Sequence, residues 1–215
     1  MTTLTISNPL PGNSTWLDVF LKTTATFSGA TQYTIVNSDG TLTTFFGTNL
    51  GMTGGGSATG TVTSIVRTSA NGLITYETIT GFASGVNDSF SSIWSPGNTA
   101  QAARGGYVFR AADTFNGSTA GDFFRSYNGA DTIDGNTGND MVAYDNDSLV
   151  PAGAGGAGSG AVIVNLSESE VIVGTDTLQA GTAKDGWGNI DTLINIEEAR
   201  GTAGADYFFG GAGYN

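Results

Sequence analysis

Large apolar side chains recur every nine residues between Val108 and Ala143, and each follows an aspartate by two positions. The same motif, an aspartate followed two positions later by an apolar residue, recurs at Gly201–Phe209. Self-similarity at a fixed period indicates repeated structural units. We therefore expect a three-residue strand after each aspartate, with its middle, apolar side chain facing inward. The aspartates are Asp113, Asp122, Asp131 and Asp140, and their apolar partners are Phe115, Phe124, Ile133 and Val142.

The repeat length also predicts which residues lie above one another. Glycine-rich turns let the chain curl tightly before each strand, so that two repeats make one flattened turn of a parallel coil and residues eighteen apart stack. Asp113 then lies over Asp131, and Asp122 over Asp140. Stacked carboxylates and exposed carbonyl oxygens form the oxygen-rich ligand set that Ca²⁺ accepts. The alternative is that Asp and Gly only mark turns, although loose turns would not keep one phase through four aspartates.

Residues 108–143 and 201–215 resemble the repeats-in-toxin (RTX) family of hemolysin-type calcium-binding nonapeptide repeats. The connecting run Asp185–Glu197 is also similar to a spacer common in such proteins. The resemblance implies an all-β fold with a right-handed parallel β-roll over 106–215, interrupted by an insertion at 144–190. Within that spacer, Asp191 repeats the Asp-x-apolar motif. Asp191 is fifteen residues before Asp206, so the eighteen-residue period does not stack these two aspartates.

The resemblance further implies that Ca²⁺ ions lie between successive turns. Each would be held by the aspartate and by the carbonyls two and four residues before it. The implied side-chain ligands are Asp113, Asp122, Asp131, Asp140 and Asp206, and the implied carbonyl ligands are those of Phe109, Ala111, Ser118, Ala120, Tyr127, Gly129, Asn136, Gly138, Thr202 and Gly204. The chain departs from the family pattern where Val108-Phe109 and Ser126-Tyr127 replace glycine pairs, where alanine stands at 111 and 120, and where Asn215 replaces an aspartate. Two ions are expected in the first block.

Residues 1–105 predict a β-rich region. Runs of β-branched and aromatic residues alternate with the turn signals Asp39-Gly40 and Asn71-Gly72, each of which suits a tight hairpin. Near 88–104, Phe90, Ile93 and Trp94 have helical spacing. This segment is either a short helical cap over the first coil, whose strands would otherwise present unpaired backbone, or a plain linker. The predicted strands are Trp16–Thr26, Gln32–Val36, Thr41–Phe46, Gly60–Thr68 and Leu73–Phe82.

Charge and composition exclude several classes of function. The chain has neither cysteine nor histidine, which removes disulfides, zinc and haem sites, thiol nucleophiles and histidine-based triads. Of its nineteen acids, fifteen lie in residues 106–215 with only four bases, so nucleic acid is a poor partner. No apolar run is long enough to span a membrane, and Met1–Phe20 has no secretory signal pattern.

These features together predict a secreted, non-enzymatic calcium-binding protein whose folding is driven by calcium. Its role would be structural, as an adhesin, surface-layer, biofilm-matrix or filament-forming component at the cell surface. The resemblance implies one-step (type I) secretion, and the unfinished last repeat suggests head-to-tail self-association. The alternative is a fragment, or the calcium-dependent secretion module, of an RTX exoenzyme acting on polysaccharide. As candidate catalytic carboxylates of such an enzyme, the N-terminal half has only Asp18, Asp39, Glu77 and Asp88.

Overall fold

The computed structural model describes residues 1–11, 27–54, 58–82, 90–94, 100–158 and 160–211. The N-terminal half contains β1 (Thr3–Ile6), β2 (Phe27–Gly29), β3 (Gln32–Val36), β4 (Leu42–Met52), β5 (Ala58–Thr68) and β6 (Thr75–Thr80), followed by helices α1 (Phe90–Trp94) and α2 (Ala100–Val108). The repeat block contains β7 (Thr114–Asn116), β8 (Phe123–Phe124), β9 (Thr132–Asp134) and β10 (Met141–Ala143). After two 3₁₀ turns come β11 (Ile163–Asn165), β12 (Val171–Val173), β13 (Asp176–Leu178), β14 (Thr182–Lys184), β15 (Ile190–Ile194), β16 (Glu198–Arg200) and β17 (Tyr207–Phe209).

The N-terminal strands form an antiparallel array. Strands β2 to β6 pair in chain order, and β1 pairs with β6. Both predicted hairpin turns are present, with Gly40 at φ 82° and Gly72 at φ 73°. Glycine suits both places because a positive φ is sterically costly for other residues. The prediction of a strand at Gln32–Val36 is confirmed as β3, whereas the one at Trp16–Thr26 lies outside the described residues.

Strand β1 joins the two halves of the molecule. It pairs antiparallel with β6 on one side and parallel with β7 on the other, where Leu4 is in register with Phe115. The exposed edge that the first repeat strand would otherwise present is therefore covered by the N-terminal strand. The predicted helical segment is present as α1 and α2, but the helices do not cover this edge of β7.

The predicted pure parallel β-roll is wrong. The described strands form a mixed sheet of twelve strands in the order β17-β11-β14-β15-β9-β7-β1-β6-β5-β4-β3-β2, with smaller sheets β16-β10-β8 and β12-β13. Repeat strands two apart do pair in parallel, as β7 with β9 and β8 with β10. In the insertion, however, β14 runs antiparallel to both β11 and β15. The reason is that the nine-residue phase ends at Ala143, and the chain reverses at turns such as Gly174 and Gly181, which have positive φ.

The core follows the predicted inward positions of the short strands. Phe115 is in register with Ile133, and Phe124 with Val142, so the eighteen-residue pairing is confirmed for the apolar side chains. All four are fully buried and belong to one core cluster. Leu193 of β15 extends the first row beyond the repeat block. The short strands therefore share a continuous apolar interior, although β7, β8 and β9 each bury only one side chain. Within the described residues, no helix is long and apolar enough to cross a membrane.

Two glycines with nearly equal backbone angles provide a test of the junction between β1 and β6. A methyl group at Gly81 (φ 78°) would lie 2.6 Å from the carbonyl oxygen of Met1, whereas one at Gly40 (φ 82°) would meet nothing within 4 Å. We expect Gly40→Ala to cost about 1 kcal/mol for the left-handed backbone alone. Gly81→Ala should cost about 1–3 kcal/mol more because the β1 backbone must shift. Urea unfolding in calcium would measure both, and equal losses would contradict the observed packing.

Candidate metal-binding site

The repeat aspartates form two hydrogen-bonded stacks. In the first, the backbone N–H of Asp113 donates to Oδ1 of Asp131 at 2.7 Å, and that of Asp131 donates to Oδ1 of Asp191 at 3.0 Å. In the second, the N–H of Asp122 donates to Oδ1 of Asp140 at 2.7 Å. The carboxylates of Asp131, Asp191 and Asp140 therefore lie against the backbone of the aspartate one turn earlier. The predicted stacking of Asp113 with Asp131 and of Asp122 with Asp140 is present in the structure.

One oxygen of each repeat aspartate is buried without a hydrogen-bond partner. These oxygens are Oδ2 of Asp113, Oδ1 of Asp122, Oδ2 of Asp131 and Oδ2 of Asp140. Leaving a buried polar atom unsatisfied is costly, and the cost is larger for a charged group. A repeated, unpartnered carboxylate oxygen at four equivalent positions therefore indicates that a proton or a cation belongs there.

Glycines keep the space around these carboxylates open. A methyl group at Gly135 would lie 2.6 Å from the unpartnered Oδ2 of Asp140. One at Gly129 would lie 2.8 Å from Oδ1 of Asp131 and 2.2 Å from the carbonyl oxygen of Ala111, one of the predicted carbonyl ligands. The glycine positions of the repeat thus bring carbonyl and carboxylate oxygens together where a side chain would separate them. This oxygen-rich environment fits the donor preference of Ca²⁺.

The described residues include no group of three or more Asp or Glu side chains placed to hold a metal by themselves. Calcium takes six to eight oxygen ligands. The carboxylates at each level would therefore need carbonyl oxygens, as the resemblance implies. The carbonyl of Ala111 is near Asp131, and that of Ala120 lies 2.7 Å from the position of a methyl group on Gly138.

Burial and mutual repulsion shift the acidity of the stacked carboxylates. Burial, with the neighbouring Asp191 carboxylate, raises the pKa of Asp131 well above its ordinary value. Burial also raises the pKa of Asp113 and Asp122, and it raises that of Asp140 to about 6. Close carboxylates cannot all ionise cheaply in a dry site. A bound cation would remove that penalty.

Two of the predicted carbonyl ligands have an unusual backbone conformation. Tyr127 has φ 64° and Asn136, nine residues later, has φ 67°. A bulky residue rarely adopts a positive φ. Tyr127 does so because its ring is buried against α2, where the missing side chain of Gly105 leaves room: a methyl group there would lie 2.0 Å from the ring. The departure from the glycine pair at Ser126-Tyr127 therefore preserves the left-handed turn of the repeat.

The other predicted carbonyl ligands lie in the turns before their aspartates. Phe109 is buried with its ring 4.9 Å from that of Phe115, measured between centroids. The N–H of Ser118 donates to Oδ2 of Asp122 at 2.6 Å. The N–H of Gly204 donates to the Thr202 hydroxyl at 3.0 Å. These contacts fix the turns that precede the aspartates.

Asp206 lies apart from the two stacks. Its Oδ1 accepts hydrogen bonds from the N–H of Val162 at 3.0 Å and from the Thr202 hydroxyl at 3.0 Å. The residue next to Asp206 is thus Val162, which directly precedes β11, and within the described part of the chain no second aspartate is stacked on Asp206. The predicted ligand set at Thr202, Gly204 and Asp206 is therefore assembled differently from the sets in the repeat block.

Sequence reasoning missed the residues that complete both stacks. Asp191 continues the first stack, and the carboxylate of Glu197 continues the second by accepting the N–H of Asp140 at 2.8 Å. Asp191 is also held by the Tyr144 hydroxyl at 2.9 Å and the Ser126 hydroxyl at 3.2 Å. The Asp-x-apolar motif at Asp191 was a signal in the sequence, but its partner Asp131 lies sixty residues away. The nine-residue spacing therefore could not predict that the two aspartates stack.

Two further buried acids surround the first stack. The carboxylate of Asp185 accepts the N–H groups of Trp187 and Asn189, and Oδ2 of Asp147 accepts the N–H of Gly186 at 3.3 Å. Burial, followed by the charge of Asp185, raises the pKa of Asp147 to about 8. Carboxyl groups are therefore concentrated around the first stack beyond those that the nonapeptides supply.

The acids of the N-terminal half do not form a free carboxylate pair in the described residues. Arg67 is buried and forms ion pairs with both Asp39, at 2.5 Å, and Glu77, at 3.0 Å. Although burial raises it, hydrogen bonds from Thr41 and the neighbouring Arg67 lower the pKa of Asp39 below its ordinary value. A lowered pKa does not suit the proton donor of a glycosidase. Asp18 and Asp88 lie outside the described residues.

No known protein family, curated protein or solved structure matches this chain. The resemblance to RTX repeats consequently rests on the nonapeptides and the spacer, and it stays a prediction.

Proposed function

We propose that this chain is a calcium-binding structural protein whose repeat half folds when the ion binds. The observation that carries the proposal is the set of four buried, unpartnered carboxylate oxygens at equivalent repeat positions. Asp113 and Asp131 would hold calcium in the first stack and Asp122 and Asp140 in the second. Carbonyl groups such as that of Ala111 would complete the ligand sets.

The chain's own residues prepare these positions. Backbone N–H groups fix one oxygen of each stacked carboxylate, which orients the other oxygen. Gly129 and Gly135 leave the oxygen-lined space open. A bound Ca²⁺ would supply the positive charge that lets neighbouring carboxylates ionise in a buried place. Because β7, β8 and β9 each bury only one apolar side chain, removing this repulsion should decide whether the stacks form.

We place the protein outside the cell, as an adhesin, surface-layer or matrix component. Extracellular calcium modules bind with dissociation constants of about 10⁻⁴–10⁻³ M, so such sites would fill in the exterior and stay empty in the cytosol. Self-association belongs to the proposal. Strand β17 is an edge of the described sheet, and its Phe208 is 50% exposed although it is in register with the buried Val164. An exposed edge of this kind can be covered by another copy of the chain.

Hydrogen exchange of the full chain, with and without calcium, tests the proposal. Peptides that cover β7 to β10 should gain protection in millimolar calcium, because the stacked carboxylates are then neutralised. Peptides that cover β4 and β5 serve as an internal control and should not change. Circular dichroism should show added β signal on titration. Full protection of β7 to β10 in chelator, unchanged by calcium, would refute calcium-driven folding.

Light scattering on the same samples addresses assembly separately. Particles larger than a monomer should form in calcium and dissociate in chelator. Monodisperse monomers in millimolar calcium would remove self-association from the proposal and leave calcium binding untouched.

A further inference from the structure

A cavity of about 610 Å³ opens between the turn that joins β14 to β15, the β12–β13 hairpin and β17. It lies outside the two aspartate stacks. Its volume is within the range of small-molecule sites, about 300–1,000 Å³. The residues that line it combine two aromatic side chains, one ion pair and several glycines. They include Trp187, Tyr207, Lys184, Asp176, Gly174 and Gly188.

The aromatic side chains of the cavity are held differently. The indole N–H of Trp187 donates to the carbonyl oxygen of Gly156 at 3.1 Å, and a methyl group on Gly158 would lie 3.0 Å from the ring. Trp187 is therefore fixed by a hydrogen bond and by close backbone packing. Tyr207, in contrast, is 49% exposed. An exposed tyrosine and a fixed tryptophan on one cavity give a ligand apolar surfaces with polar rims.

The polar lining is electrically balanced. Nζ of Lys184 lies 2.7 Å from Oδ2 of Asp176, and the two side chains remain 28% and 37% exposed. Both can therefore offer further hydrogen bonds to a ligand without being separated. The glycines at the wall leave backbone groups uncovered by side chains.

We propose that this cavity binds a neutral saccharide. A sugar ring presents C–H groups on its face, which pack on an aromatic ring, and hydroxyls at its edge, which can bond to Asp176 and Lys184 together. An anionic ligand would gain little, because Lys184 is already neutralised and the chain carries a net charge of −12. A purely apolar ligand would leave the ion pair unsolvated. The inference goes beyond calcium binding and rests on the proposed function only in requiring the folded, calcium-loaded protein.

The test uses the full chain in millimolar calcium, with folding verified by circular dichroism before each titration. Isothermal calorimetry would follow binding of soluble β-glucan, chitin, mannan and xylan oligosaccharides, with oligogalacturonate as the anionic comparison. At least one neutral oligosaccharide should bind, and oligogalacturonate should bind more weakly. If none of the neutral oligosaccharides binds while the calcium response is intact, the saccharide proposal is overturned and the calcium proposal survives.

A matched pair of variants locates the site. Tyr207 and Phe208 are adjacent in β17 and equally exposed, at 49% and 50%, but neighbouring strand residues point to opposite faces and only Tyr207 lines the cavity. Tyr207→Ala should weaken binding about tenfold, which corresponds to about 1.4 kcal/mol. Phe208→Ala should leave it within about twofold. Equal losses in the two variants would overturn the assignment to this cavity.

Discussion

Raising the pH of the calcium-free protein from about 4 to about 8 is expected to unfold the repeat half. Burial raises the pKa of Asp147 to about 8 and that of Asp140 to about 6, and it raises that of Asp131 well above its ordinary value. In the unfolded chain these groups ionise near pH 4. Between these values the folded state keeps protons that the unfolded state has released, so stability falls as pH rises.

The size of this effect follows from the number of groups. Each carboxyl with a raised pKa costs about 1.4 kcal/mol for every pH unit of its window. At pH 8 the windows of Asp147 and Asp140, about four and two pH units, together correspond to about 8 kcal/mol, and the window of Asp131 adds to this. The total is comparable to the roughly 5–15 kcal/mol by which most domains are stable. Below about pH 4 the groups are protonated in both states, and the contribution is fully present.

Thermal unfolding at a series of pH values, in chelator and in millimolar calcium, measures this prediction. Calcium should flatten the pH dependence, because the cation replaces the protons, and its binding near neutral pH should release protons into solution. A calcium-free protein whose stability rises from pH 4 to pH 8 would show that these carboxylates are not buried as described.

Asp131→Asn is expected to change stability in opposite directions with and without calcium. In chelator at about pH 8 the variant should be more stable by about 2 kcal/mol, because an amide neither buries a charge nor has to take up a proton when the chain folds. Its side-chain oxygen can still accept the N–H of Asp113 as Asp131 does. The gain is limited because the amide N–H₂ replaces an oxygen that has no partner.

In calcium the same variant should be less stable than the parent protein. It loses a ligand, and a site filled at a hundred times its dissociation constant contributes about 2.7 kcal/mol. Glu168→Gln is the matched control, since Glu168 is an exposed acid of the same half. It should change the free energy of unfolding by no more than about 0.5 kcal/mol in either condition. Urea unfolding of the three proteins, with and without calcium, measures these stabilities. A change of the same sign in both conditions for Asp131→Asn would exclude Asp131 as a calcium ligand.

Both outcomes depend on residues that the repeats do not contain. Asp191 repels the charge of Asp131, and Glu197 occupies the corresponding place above Asp140. Residues of the spacer therefore tune the repeat sites. Substitution of Asp191 should accordingly be studied together with Asp131, because contacting residues are not expected to have additive effects.

The sequence by itself determined the local organisation of the repeat block. A period of nine with one inward apolar residue fixes the register of Phe115 on Ile133, and with it the stacking of Asp113 on Asp131. The hairpin turn at Asp39-Gly40 was also predictable from the sequence, since its positive φ favours glycine. In each case the physical constraint is local: it acts within a few residues, or it recurs along the chain at a constant spacing.

Only the tertiary structure decided how distant segments meet. Strand β1 covers β7 across 111 residues, as the hydrogen bond from Thr2 to Asp113 shows. Asp191 reaches Asp131 across sixty residues, and Arg67 joins Asp39 to Glu77. The mixed sheet arises in the same way, because strand direction depends on turns in an insertion that has no period. Such pairings are selected by the burial and hydrogen bonding of the whole chain, and no local spacing specifies them.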